Sequence, residues 1–158
     1  MTREEKFMKA ALKQAERAAS ELEVPVGAVI VHEDKIIARG RNRRETGQDA
    51  LAHAELEAIR KACKKLGSWR LLNCEMYVTL EPCPMCAGAI VNSRVEKLFY
   101  GAPDPRAGAC ESVVNLFELP LNHKPAAESG ILRDECARVL SVFFMNLRKA
   151  KLKKDDDS

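Results

Sequence analysis

The sequence predicts an α/β fold, a three-layer α/β/α sandwich with a mixed central sheet. Segments with helical spacing of apolar residues alternate with short β-branched runs, and the first two of these runs are close enough to form a hairpin. The length of 158 residues, with 46% hydrophobic and 31% charged residues, fits one globular domain with a core. This composition excludes a disordered chain, a collagen-like fibre and a disulfide miniprotein. We expect the domain to cover residues 1–150, followed by a charged C-terminal tail at 151–158.

The first half of the chain predicts two helices and a hairpin. Apolar residues recur at spacings of three and four over residues 2–22, which indicates a helix. The β-rich runs at 26–31 and 35–38 are separated by the polar break His32-Glu33-Asp34, which is typical of a hairpin. Residues 52–66 then have one apolar face and predict a second helix.

The second half predicts alternating strands and helices. Residues 75–80 and 95–100 read as strands, the latter ending before Gly101. The segment 82–92 between them predicts a helix with a proline near its start, where a missing N–H costs nothing. A strand or short helix is expected near 113–117, and a long helix from about 131 to 151.

The charge balance and the absence of apolar stretches limit the partners and the compartment. With 26 basic and 23 acidic residues, the net charge of +3 neither proves nor excludes an acidic partner. The sequence has no apolar run near the roughly 18 residues that a membrane span needs, and its N-terminus does not resemble a secretory signal. We therefore expect a cytoplasmic protein with no membrane contact, whose six cysteines are reduced.

Three residues have the chemistry and spacing of a metal site. Cys83 and Cys86 form a Cys-x-x-Cys motif at a predicted helix start, where free N–H groups and the helix dipole favour thiolate. Together with His53 they supply two sulfurs and one imidazole, the three protein ligands of a catalytic Zn²⁺. Taken singly, the Cys-x-x-Cys motif could be a redox pair and the His-x-Glu motif an ordinary helix surface. Their combination favours metal-dependent hydrolysis.

Glu55 is predicted to be a base and not a fourth ligand. Side chains two positions apart on a helix point to nearly opposite sides, so His53 and Glu55 cannot both be mid-helix ligands of one ion. If His53 lies at the helix start, Glu55 can approach the reacting water without binding the metal. Zn²⁺ with two thiolates is formally neutral and acidifies water less than an all-histidine site would. A nearby base is therefore needed to take the proton.

The pattern His-x-Glu…Pro-Cys-x-x-Cys is the signature of zinc deaminases. The chain resembles the bacterial tRNA-specific adenosine deaminase family from about Phe7 to Arg148. Many deaminases share the zinc motifs, and the residues that flank these motifs narrow the resemblance to this family. The matching stretches are 25–29, Asn42, 52–55, 77–89, 101–102, Asp104, 122–123, 130–132 and 134–136.

The resemblance implies a cytidine deaminase-like fold and a residue-by-residue assignment of the site. By this resemblance, residues 1–150 form a zinc-dependent deaminase domain with one Zn²⁺ per subunit. The implied reaction is the hydrolytic deamination of adenosine to inosine at the wobble position of a tRNA anticodon. The implied enzyme is a homodimer. The implied zinc ligands are His53, Cys83 and Cys86, with Glu55 as the proton shuttle. The implied substrate contacts are Asn42, Ala54, Asp104, Asn122 and His123.

The sequence departs from the family pattern at two places. Asp49-Ala50-Leu51 stands where the family usually has Asp-Pro-Thr, which removes a stiff residue and a polar group from the loop but no ligand. Glu111 stands where a glycine is usual, which adds a negative charge near the expected RNA face.

Basic residues flank the predicted site. Residues 39–44 contain four arginines in six positions, just before the metal histidine, and arginine can bridge phosphates and stack on bases. The last helix carries a second basic group. The residues predicted to bind RNA are Arg41, Arg43, Arg44, Arg148 and Lys149.

Two other functions remain open at this point. The first is a deaminase of a free nucleobase or nucleoside of the guanine or cytosine type, which would keep the same zinc chemistry. The second is a structural zinc module that binds RNA without chemistry. The basic segment at 39–44 argues against the first, and Glu55 argues against the second, because a closed structural site has no use for a non-ligand carboxylate.

Overall fold

The computed structural model describes residues 1–156, in which five strands form one mixed sheet covered by four helices. The strand order is β2-β1-β3-β4-β5. Strand β1 is antiparallel to β2 and β3, whereas β3, β4 and β5 are parallel. The elements are α1 Arg3–Ser20, β1 Gly27–His32, β2 Lys35–Arg41, α2 Ala54–Leu66, β3 Cys74–Leu80, α3 Pro84–Asn92, β4 Lys97–Ala102, a 3₁₀ turn Leu116–Glu118, β5 Ala126–Ser129 and α4 Arg133–Asp156. The predicted fold class is confirmed.

The two faces of the sheet bury separate apolar clusters, which accounts for the three layers. Successive side chains of a strand point to opposite faces. Val29 on β1 therefore packs with Phe7 and Met8 of α1, and α4 joins the same cluster. Its neighbour Ile30 packs on the other face, with residues of α2 and α3. Helices α1 and α4 thus cover one face, and α2 and α3 cover the other.

The carboxyl ends of the parallel strands β3 and β4 meet at one edge of the sheet, which we call the site edge. Strand β3 ends at Leu80 and leads directly into α3, while β4 ends beside it at Ala102. Strand β1 runs antiparallel to β3 and begins at the same edge, with Gly27. A Cβ at Gly27 would overlap the backbone of α1, so this glycine allows helix and strand to pack closely beside the edge.

Glycine 101 does not end strand β4, so the predicted stop there is wrong. The strand continues through Ala102, and Gly101 is buried against Cys136 of α4 and the backbone of Thr79. A Cβ at this position would collide with the Cys136 sulfur. The glycine therefore serves the packing of α4 onto the sheet, a role that its sequence context does not distinguish from a strand terminator.

The C-terminal third differs most from the prediction. The segment expected near 113–117 is a 3₁₀ turn at Leu116–Glu118, and strand β5, which was not predicted, pairs with β4. Helix α4 continues to Asp156, five residues past its expected end, so residues 151–156 of the expected tail are helical. Asp157 and Ser158 lie outside the described residues, and the division at residue 150 stays a prediction. Within residues 1–156, no helix is long and apolar enough to cross a membrane.

Candidate metal centre

His53, Cys83 and Cys86 converge at the site edge. His53 is the N-cap residue of α2 and Cys83 is the N-cap residue of α3, both with extended backbone, while Cys86 lies in the first turn of α3. The Nδ1 atom of His53 lies 3.7 Å from the Cys83 sulfur and 3.5 Å from the Cys86 sulfur. Two helix starts thus bring the three predicted ligands together.

These separations fit a tetrahedral Zn²⁺ ion. With Zn–S of about 2.3 Å and Zn–N of about 2.0–2.1 Å, a tetrahedron places its donors roughly 3.5–3.8 Å apart. The three donor atoms all lie within 4.8 Å of one another. Since three protein ligands leave a tetrahedral ion one further position, the group has the composition of a catalytic site and not of a closed structural one.

The electrostatics of the cluster favour negative charge on sulfur. A hydrogen bond from Cys86 and the contact with His53 lower the pKa of Cys83 to about 4. The contact with Cys83 and burial raise the pKa of Cys86, because one of two adjacent sulfurs ionises first. The Cys83 sulfur in turn raises the pKa of His53. A thiolate beside an imidazole is the type of donor set that Zn²⁺ binds.

Glu55 lies beside these three donors. Among residues 1–156, the group that could hold a metal ion consists of His53, Cys83 and Cys86 and does not include Glu55. Its side chain is buried, with 4% of its surface exposed, and it lines the same cavity as His53 and Cys83. Burial raises the pKa of Glu55 to about 7, against the lowering effects of its own backbone N–H and of His53. The carboxyl group is therefore enclosed next to the ligands, as a proton carrier requires.

The cavity at the site edge has a volume of about 280 Å³. Besides the site residues it is lined by Val24 and Val26, which precede β1, and by Asp104 and Ala107, which follow β4. The predicted substrate residues that line it are Asn42, Ala54 and Asp104. The Asn42 side chain accepts a hydrogen bond from the Arg44 backbone and donates one to the Val24 carbonyl, so its orientation in the wall is fixed.

Asn122 and His123 do not line this cavity. They precede β5, whose first residue lies opposite Lys97 at the start of β4, so they lie at the end of the sheet away from the site edge. The Nε2–H group of His123 donates a hydrogen bond to the Val95 carbonyl at 2.7 Å. Within a single chain, the direction of β5 thus carries these two residues to the end of the sheet opposite the cavity, and their contact with the anticodon nucleotides stays a prediction.

The basic segment 39–44 is divided between ion pairs and the cavity. Arg41 pairs with Glu21 at 2.6 Å, and Arg43 pairs with Glu57 at 2.6 Å. The exposed Arg44 lines the cavity. Residues 39–41 belong to strand β2, which therefore extends three residues past the β-rich run at 35–38 that the sequence predicts. Of the three predicted RNA-binding arginines in this segment, Arg44 is thus the one placed at the site.

At the two places where the sequence departs from the family pattern, residues 49–51 and Glu111, the side chains form local hydrogen bonds. The Asp49 carboxylate accepts a hydrogen bond from the backbone N–H of Leu51 at 2.9 Å, which forms a turn where the family usually has proline. Glu111 has no left-handed backbone, so this turn does not need glycine. Its carboxylate accepts a hydrogen bond from the Tyr100 hydroxyl at 2.9 Å.

Two buried carboxylates near the site were missed by the sequence analysis. Glu23 accepts hydrogen bonds from the backbone of Glu45 and from the backbone and hydroxyl of Thr46, and Glu81 accepts several from residues 104–112. Although burial raises the pKa of Glu23, its bonds with Thr46 and Glu45 bring that pKa below its ordinary value. Their partners lie more than 20 residues away, so no local pattern could identify these roles.

Comparison with known proteins agrees with this geometry. Residues 1–102 match the cytidine and deoxycytidylate deaminase zinc-binding region, which together with the site defines a zinc-binding deaminase. A tRNA-specific adenosine deaminase from Bacillus subtilis (strain 168) is 53% identical over 152 residues, which cover 96% of this chain and 94% of that protein. The chain therefore belongs to the cytidine and deoxycytidylate deaminase family, in the branch of the tRNA-specific adenosine deaminases.

Solved structures show the same likeness. A structure from a study of A-to-I editing by tRNA deaminases at the wobble position is 47% identical, with a TM-score of 0.83, over 85% of this chain and 99% of that one. A guanine deaminase from Bacillus subtilis is 37% identical, with a TM-score of 0.61, over 75% of this chain and 86% of that one. The fold is thus shared by deaminases of different substrates, and the substrate must be argued from the site.

Proposed function

We propose that this chain hydrolyses adenosine to inosine at the wobble position of a tRNA anticodon. The observation that carries the proposal is the convergence of a His-Cys-Cys ligand group and a buried, non-ligand carboxylate on one cavity. The similarity to tRNA-specific adenosine deaminases over nearly the whole chain supports the substrate class. We further propose that the enzyme works as a cytoplasmic homodimer with one Zn²⁺ in each subunit.

In the proposed reaction, His53, Cys83 and Cys86 hold Zn²⁺. When bound, this ion activates water for attack on the ring carbon that carries the amino group. Glu55 accepts one proton from the attacking water and gives it to the ring nitrogen of the base. It then accepts the second proton from the hydroxyl group added to the ring and gives it to the amino group, which leaves as ammonia. A buried carboxyl group at this point can serve as base and then as acid in both transfers. The walls formed by Asn42, Ala54 and Asp104 hold the target nucleoside against these groups.

Basic residues around the cavity are proposed to hold the RNA backbone. Arg44 lines the cavity, and the exposed Arg148 and Lys149 lie on the C-terminal half of α4. This part of α4 faces the last turn of α1 across a groove lined by Leu22 and Leu147, and the chain continues from Leu22 to the cavity wall. We propose that Arg148 and Lys149, which directly follow Leu147 of this groove, contact the RNA beside the cavity, and together with Arg44 we call them the basic border. Arg41 and Arg43 can contribute once RNA phosphates compete with their carboxylate partners.

An anticodon stem-loop with a wobble adenosine tests the proposal directly. The purified protein is expected to form inosine in this RNA and to leave free adenosine, cytidine and guanine unchanged, because the RNA supplies binding energy that a free base lacks. Nucleoside analysis of the digested RNA measures the product. A stem-loop with guanosine at the wobble position is the matched control. Turnover of a free base alone would replace the proposal with the nucleobase deaminase, and RNA binding without turnover would favour the structural zinc module.

The salt dependence of RNA binding tests the basic border. Replacing Arg44 with Ala is expected to weaken stem-loop binding and to reduce the slope of log K against log salt by about one, because each phosphate contact releases counterions. The double variant R148A/K149A is expected to reduce the slope by up to about two. Fluorescence anisotropy over a salt series measures both slopes.

Lys35→Ala is the control for these variants. Lys35 is an exposed cation that begins β2 after the hairpin turn, at the end of the sheet away from the site edge, so its loss removes one positive charge, as R44A does, without touching the border. A slope that stays at the wild-type value in R44A would remove Arg44 from the RNA contact.

A further inference from the structure

Glu81 is a buried carboxylate that accepts hydrogen bonds from a single loop. The proposed reaction does not involve these hydrogen bonds. It follows β3 and precedes Pro82 and the ligand Cys83, and it is 2% exposed. Five donors from residues 104–112 converge on its two oxygens. Oε1 accepts from Asp104 N at 3.0 Å and Ser112 Oγ at 2.5 Å, and Oε2 accepts from Cys110 N at 3.1 Å, Glu111 N at 2.9 Å and Ser112 N at 2.9 Å.

This arrangement fixes the course of the loop at 103–112, which we call the wall loop. The four backbone N–H groups that point at Glu81 would be left unpaired without the carboxylate, and an ionised oxygen pair is a strong acceptor for several N–H groups at once. Gly108 lies directly against the carboxyl group, and a Cβ there would overlap it. The loop is therefore wrapped around the Glu81 side chain with little free space.

The wall loop forms one side of the cavity that holds the metal ligands. Asp104 and Ala107 of the wall loop line this cavity together with Asn42. The backbone N–H of Ala109 donates to the Pro82 carbonyl at 2.8 Å, so the loop is also tied to the residue just before Cys83. A single carboxylate, just before the Cys-x-x-Cys segment, thus couples this segment to the loop that lines the cavity.

We infer that Glu81 is a positioning residue that holds the wall loop in the shape that receives the target nucleoside. The identity of the substrate in this inference rests on the proposed function. The set of hydrogen bonds between Glu81 and the wall loop, which we call the clamp, is independent of that function. Because Glu81 acts through the loop and not on the metal, its loss affects substrate binding more than the chemical step. The expected signature is a raised KM with a smaller change in kcat.

Glu81→Gln is the sharpest test, because it keeps the shape of the side chain. An amide has one acceptor oxygen, so if this oxygen keeps the three N–H groups at Oε2, the NH₂ group faces the N–H of Asp104 and that bond is lost. We expect KM for the stem-loop to rise about tenfold, kcat to change less, and zinc content to stay at the wild-type value. Amide hydrogen exchange at 104–112 is expected to accelerate.

Two further variants keep the inference falsifiable. Ser112→Ala removes one donor at the loop end, far from the ligands in sequence, and should raise KM in the same direction by about two- to threefold. Glu75→Gln is the matched control, since it makes the same change of carboxylate to amide near the start of β3, at the end of the sheet away from the cavity and the wall loop. KM and exchange in this control should equal those of the wild type.

The outcomes separate this inference from the proposed function. Unchanged KM or unchanged loop exchange in E81Q would overturn the positioning role, and so would loss of zinc, which would place the effect on the ligands. If E81Q does not fold, an unchanged KM in S112A overturns the role. If the wild-type protein does not deaminate the stem-loop, the proposed function fails, and the clamp is then judged by the exchange of the 104–112 amides in E81Q and S112A.

Discussion

Replacing Glu55 with Gln is expected to lower kcat for stem-loop deamination by about 10²–10⁴-fold while zinc remains bound. The substitution keeps the volume of a buried side chain but removes the carboxyl group that we propose carries protons. The ligand group is formed by His53, Cys83 and Cys86, so metal affinity should not depend on this carboxylate. Single-turnover kinetics and metal analysis of the same preparation measure the two effects.

Glu75→Gln is the control for this variant. Glu75 lies near the start of β3, at the end of the sheet opposite the site, and pairs with Arg3 at 2.7 Å. Its loss removes one negative charge without reaching the cavity, and an exposed pair of this kind contributes little to stability. A Glu55 variant that loses its zinc would contradict the non-ligand role, and one that keeps full activity would show that another group carries the protons.

The parts of the site that the sequence predicts are those fixed by local chain geometry. His53 and Cys83 each precede a helix directly, and a residue at a helix start has a defined direction relative to that helix. Cys86 follows within one turn, so the Cys-x-x-Cys spacing alone brings the two sulfurs together. Glu55 lies two positions after the metal histidine, in the first turn of α2, where it can face the cavity.

The parts that the sequence does not predict depend on contacts between distant segments. Strand β5 consists of four exposed residues without β-branched or aromatic side chains, and it exists because the edge of β4 offers hydrogen bonds. The ion pairs of Arg41 and Arg43 depend on the packing of β2 beside α1 and α2. The sequence alone shows Arg41 and Arg43 only as two positive charges and does not reveal that each pairs with a glutamate. The clamp at Glu81 is likewise visible only once the loop is placed.

The loss of one metal ligand is expected to abolish activity and leave the fold intact. Cys83→Ala removes one of two thiolates, so zinc affinity should fall by more than the roughly 10–100-fold typical of a change outside the ligand set, and turnover should fall below detection. The two apolar clusters that hold the layers together are built from the sheet and the helices and do not include Cys83. Circular dichroism of the variant should therefore match the wild type.

Cys63→Ala is the matched control, because it removes a half-buried thiol from α2 without touching the ligand group. This variant should keep stoichiometric zinc and full turnover. In the wild type, a chelator should remove activity and added Zn²⁺ should restore it, since the helix starts that hold the three donors are set by packing and not by the metal. Unfolding of the chelated protein would show instead that Zn²⁺ contributes to the fold itself, as it does in small structural zinc domains, where the free energy of metal binding is the free energy of folding.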